Sequence, residues 1–71
     1  MYGYNAVLAA LRAHAHQMIG SARSRLDQAR LRRDYGDCIL RNRAKLLVMR
    51  LNQTSNDAAR RQILRKALFG A

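Results

Sequence analysis

Apolar residues along this chain recur at helical spacing. At about 100° per residue, Tyr4, Val7, Leu8, Leu11, Ala15 and Met18 fall on one stripe, while Asn5, Arg12, His16 and Gln17 lie away from it. That spacing predicts a helix over residues 4–19, ended by Gly20. A second helix is predicted over 21–33, with Ser21 as N-cap and a thin stripe of Ala22, Leu26 and Ala29, Leu31 standing to the side. Asp34-Tyr35-Gly36-Asp37 reads as a turn and a helix start, its two Asp imitating a capping box. A third helix follows over 37–51. Asn52-Gln53-Thr54-Ser55-Asn56 is a polar loop, in which Thr54 and Asp57 again have capping-box spacing. The fourth helix, 57–69, turns Ala59, Ile63, Leu64, Ala67 and Leu68 inward, and Gly70 stands where a C-terminal cap is expected.

The third helix is apolar on two opposed sides. Tyr35, Cys38, Ile39, Asn42, Leu46 and Met49 share one face; Leu40, Ala44, Leu47, Val48 and Leu51 share the other. Arg43 and Arg50 flank one edge, Arg41 and Lys45 the other. Two apolar faces call for burial on both sides, so the rest of the chain forms a third layer or a foreign surface covers one face. Tyr35, Ile39, Leu40, Asn42, Leu46, Leu47, Met49 and Leu51 are therefore the candidate partner-interface residues, with Asn42 either a polar position that specifies register against a partner helix or a polar residue at the edge of the contact. The expected fold class is all-α: one domain of three to four short helices, an open bundle or extended hairpin completed by partner subunits.

Length and charge sharpen that expectation. A chain of 71 residues buries only about 60% of its unfolded surface, and small domains usually need a staple. Cys38 is the single cysteine, which excludes an internal disulfide and fits a reducing compartment. His14 and His16, two apart, point about 200° from each other and cannot share a metal; with no Glu and no second Cys, no metal or other cofactor is expected. A partner is the remaining staple. The net charge of +10 comes from fourteen basic residues, twelve of them Arg, against four Asp. Arg suits phosphate because its planar fork donates paired hydrogen bonds. Arg23, Arg25, Arg30, Arg32 and Arg33 form the densest group, joined by Arg60, Arg61 and Arg65 on the fourth helix, as the candidate sites for RNA or another polyanion. No aromatic residue is interleaved among the first five, so backbone contact is expected and not base stacking.

Signals for chemistry are sparse. The four Asp offer cap candidates but no acid–base pair, Cys38 on an apolar face reads as a buried inert thiol, and Gly-rich phosphate loops are absent. Asn52-Gln53-Thr54 matches a glycosylation sequon in a chain that does not look secreted. The expectation is a protein without catalytic activity or a small-molecule substrate.

Arg43-Ala44-Lys45-Leu46-Leu47, Leu51-Asn52-Gln53-Thr54, Arg60-Arg61-Gln62-Ile63-Leu64 and Leu68-Phe69-Gly70 together resemble the helical N-terminal capping segment of maltose and galactoside O-acetyltransferases. The resemblance covers residues 43–70. It implies a helix–loop–helix there and no activity, since the left-handed β-helix that holds the catalytic histidine and binds acetyl-CoA in that family has no counterpart in these residues.

The longest apolar run, Ala6 to Leu11, is far short of the ~20 residues a membrane-spanning helix needs. Residues 1–33, amphipathic with Arg and Ser but one acid, have the composition of a mitochondrial transit peptide, here expected to stay uncleaved within the fold. The leading expectation is a small basic structural subunit of a mitochondrial ribosome, contacting rRNA phosphates and several protein neighbours. The alternatives are an accessory subunit of a respiratory-chain or ATP synthase complex on the matrix face of the inner membrane, meeting anionic lipid, and a DNA-binding helical module. A bacterial origin would mean the cytoplasm or nucleoid.

Overall fold

A computed structural model of the chain describes residues 3–69. Four helices follow one another: α1 (Tyr4–Gly20), α2 (Arg25–Asp34), α3 (Asp37–Gln53) and α4 (Asp57–Phe69). No strand occurs among the described residues, and the all-α expectation holds. The expected cap at Gly70 lies outside them.

The core sits where α1 meets α3. Val7, Leu8, Leu11 and Ala15 bury against Leu40, Ala44 and Leu51, with Tyr4, Tyr35, Leu47, Val48, Ile63, Leu64 and Leu68 packed around them. Ala44 and Leu51 have no exposed surface. The two helices run antiparallel: Ala15 and Ile19 stand beside Asp37 and Leu40, while Leu11 stands beside Leu46 and Leu47. α1 also packs against α2 and α4, so it touches every other helix.

A second tie joins α1 to the start of α3. Arg12 donates from Nε (3.1 Å) and Nη2 (2.8 Å) to Oδ1 of Asp37, whose Oδ2 receives Nε of Arg41 at 2.8 Å. The carboxyl of Asp37 is held below its ordinary range, first by the hydrogen bond from Arg12, against an opposing effect of desolvation, and further by the charges of Arg12 and Arg41 and the hydrogen bond from Arg41.

Three helix ends differ from the sequence expectation. Ser21 does not cap α2; its hydroxyl donates back to the Met18 carbonyl at 2.8 Å and closes α1, and the N-cap of α2 is Ser24, which accepts from the Asp27 amide. Thr54 likewise closes α3 by donating to the Arg50 carbonyl, and Asn56 caps α4 by accepting from the amides of Ala58 and Ala59. Gly36 precedes α3 without a side-chain cap, and Asp37 is engaged by arginines, so the Asp34–Asp37 capping box does not form. In all three cases two or more Ser, Thr, Asn or Asp lie within a few residues, and local hydrogen bonding chooses among them.

The body is elongated, 42 × 22 × 14 Å. Its radius of gyration, 13.1 Å, exceeds the ~11 Å of a compact domain of this length. The accessible surface is 5678 Å², against about 4,500 Å² for a compact monomer of this mass. The chain leaves surface open that a self-sufficient domain would close.

Candidate polyanion and partner surfaces

α2 has no buried residue. Its inward side consists of half-buried Gln28 and Leu31, while Ala29 and Leu26 are exposed, Leu26 by 83%. The sequence assigned the inner stripe to Ala22, Leu26 and Ala29; of these only Ala22, just ahead of the helix, is half-buried, and within the helix the inner position belongs to Leu31. The reason is Ser24: starting the helix three residues later leaves too little apolar surface for the stripe to decide its orientation. On the outward arc, Arg25 and Arg32 stand one above the other, seven residues apart, with Arg33 and Arg30 successively further round, and all four are exposed. Arg23, in the turn before α2, joins Arg30 around a hollow of ≈ 210 Å³ with Ser21, Ala22, Asp27 and Leu31. The five arginines singled out from sequence are all exposed, Arg23 and Arg30 around this hollow and Arg25, Arg32 and Arg33 elsewhere on the helix surface. The late start of α2 also puts Asp27 in its first turn and Arg32 and Arg33 in its last, the arrangement the helix dipole favours.

The α4 arginines divide. Arg61 and Arg65, one turn apart, are exposed. Arg60 is tied into the fold: its Nε donates to the Leu51 carbonyl at 3.2 Å and its Nη1 pairs with Asp57 at 3.0 Å. It links α4 to the end of α3 and is poorly placed to receive a phosphate.

The partner-interface residues also divide. Leu40 and Leu51 are core residues of this chain and present no free face, while Leu47 and Tyr35 are half-buried against that core. Tyr35 stands edge-on to His14 (6.0 Å between ring centres) with the Arg43 guanidinium 5.9 Å from its ring centre. His14 is edge-on to Phe69 on another side at 6.4 Å, joining α1 to the end of α4. Ile39, Leu46 and Met49 remain open, exposed by 40%, 67% and 57%, and Asn42 is exposed with them. Cys38, expected to be buried, is exposed because it lies on this uncovered face. α4 stands off from α3, and the groove between them, ≈ 530 Å³, is lined by Leu47, Arg50, Thr54, Ala59, Gln62, Ile63, Lys66 and Ala67. Sequence reasoning missed this groove and its cations Arg50 and Lys66; the predicted inward side of α4 includes Ala67, which is exposed.

Among the described residues no three His, Cys, Asp or Glu side chains come together to hold a metal, and no helix is long and apolar enough to cross a membrane. No protein-family model matches the chain, and neither curated proteins nor solved structures give a match.

Proposed function

We infer that this protein is a non-catalytic structural subunit of a larger assembly, and that the outward arc of α2 binds a phosphate backbone. The specific form of the reading is a ribosomal protein, most naturally of the mitochondrial ribosome. The observation that carries it is α2 itself. A helix with four exposed arginines and no buried side chain adds almost nothing to folding, and its charge is repelled by the rest of a +10 chain. A neighbouring polyanion removes that repulsion, and the open surface of the molecule suits a protein whose packing is finished by neighbours. Arg23, Arg25, Arg30, Arg32 and Arg33 would neutralise phosphates, with Arg61 and Arg65 supplying a second, smaller contact.

One observation favours the runner-up, a subunit at the inner mitochondrial membrane. Leu26 is exposed among the arginines, an apolar residue amid cations that an anionic lipid surface would accommodate.

RNA retention on filters across a salt series separates the two. Each neutralised phosphate contributes a slope of about −0.7 to −0.9 in log affinity against log salt. Replacing Arg30 and Arg33 together by Gln should flatten the slope by about 1.5 and leave the helical circular dichroism unchanged. An unchanged slope removes the arc of α2 from the binding surface. Absence of salt-dependent RNA binding together with binding to cardiolipin vesicles replaces the ribosomal reading by the membrane one.

A further inference from the structure

The outer face of α3 carries a pattern that the core does not use. Ile39, Asn42, Leu46, Met49 and Gln53 are all exposed and follow one another at steps of three, four, three and four. Those are the a and d positions of a heptad. The core-facing Leu40 and Leu47 occupy b positions, and Ala44 and Leu51 occupy f positions. The fold and the heptad therefore draw on different side chains. The positions that border such a seam, e and g, hold Arg43, Arg50 and Lys45, and no acid occurs from Cys38 to Gln53. On the e side the seam falls into a hollow of ≈ 310 Å³ between α3 and α4, lined by Leu11, Arg43, Leu46, Leu47, Arg50 and Ala67.

We propose that this face of α3 docks one acidic amphipathic helix of a protein partner. Its apolar residues pack between Ile39, Leu46 and Met49, its Glu or Asp side chains meet Arg43, Lys45 and Arg50, and a polar residue opposite Asn42 sets the register. Charge complementarity selects this occupant. A second copy of the chain would set these cations against identical cations in a molecule that already carries +10. RNA would satisfy the arginines but lay a charged backbone over exposed Ile, Leu and Met, which gain nothing from phosphate. The seventeen residues of α3 extend about 25 Å, roughly two and a half heptads, which suits a contact that works beside others in an assembly.

The test uses the full chain and a labelled synthetic helix of about three heptads, with Leu and Ile at a and d, one Asn at d, and Glu at every e and g. Two controls carry Lys in place of Glu, or the same acidic composition with the heptad scrambled. Fluorescence anisotropy near physiological salt should show the acidic heptad helix binding at least about tenfold tighter than either control. Leu46→Asp, at an exposed position, should weaken it about tenfold with unchanged circular dichroism. The pair Arg43→Glu and Arg50→Glu should transfer the preference to the Lys helix. Equal binding of the scrambled acidic peptide would reduce the effect to net charge and overturn the seam. So would sedimentation of the chain alone as a dimer that Leu46→Asp dissolves, since the occupant would then be a second copy.

Discussion

Where α1 crosses α3, Leu8, Leu11, Leu40 and Leu51 are at most 5% exposed, whereas α2 holds Leu26 83% exposed and buries nothing. Leucine in both regions has the same tendency to leave water. The difference lies in what a neighbouring helix offers. α1 presents an apolar stripe four turns long and α3 meets it with another, Ala44 allowing close approach. α2 brings only half-buried Leu31 and Gln28 inward, and the rest of its circumference, exposed Leu26 and Ala29 apart, is charged. Burial in this chain follows from paired stripes, and a helix without a partner stripe is left as surface.

The sharpest way to break the comparison is to truncate one leucine from each region. Leu51→Ala should cost about 2–5 kcal/mol, the transfer free energy plus the cavity left behind, enough to unfold most of so small a domain. Leu26→Ala should stay within about 0.5 kcal/mol. Urea unfolding followed by circular dichroism measures both, and comparable losses would mean that α2 belongs to the core.

A smaller effect concerns how independently the regions open. Ser24→Ala removes the only side-chain cap of α2 and should cost about 0.5–2 kcal/mol locally. Amide exchange should rise over residues 25–34 and stay unchanged in α1 and α3. Asn56→Ala removes a cap of the same worth from α4, whose Ile63, Leu64 and Leu68 pack on the core, so exchange should rise there and in α1 as well.

The smallest effect is electrostatic and confined to the α1–α3 pair. Asp37 has a lowered pKa in the folded chain, so it binds protons less readily folded than unfolded. Its stabilising contribution is complete above the unfolded value, near 3.8, and is lost as pH falls through the depressed folded value. The pair is half-exposed and its effect on stability modest. Arg12→Gln should raise the Asp37 midpoint toward 3.8, followed by carboxyl chemical shift in an NMR titration; an unmoved midpoint would show that Arg41 alone sets it.

The stripe of α1 and the two faces of α3 were legible in the sequence because each rests on several large apolar residues in one period. Ile39, Leu46 and Met49 opposite Leu40, Leu47 and Leu51 is a pattern that one misplaced residue does not erase. The orientation of α2 was not legible, since its few apolar residues fit either rotation once the start moves from Ser21 to Ser24. Tyr35 was assigned to the outer face by helical projection, but it precedes α3 and turns toward His14 instead. The Arg12–Asp37 bond, 25 residues apart, left no periodic trace. Among the candidate site residues, the α2 arginines were singled out by density alone, whereas the internal role of Arg60 depends on the path of the loop before α4.

That α1 touches every other helix has a consequence during synthesis. Its apolar stripe leaves the ribosome before any partner exists. α2 comes next and offers it only Leu31. Leu51, which completes the main contact, is added about 40 residues after Leu11, or about 2–8 s later at ordinary elongation rates. For that interval Val7, Leu8 and Leu11 are an uncovered hydrophobic segment on a nascent chain, the kind of surface that chaperones hold and that aggregates when it is not held.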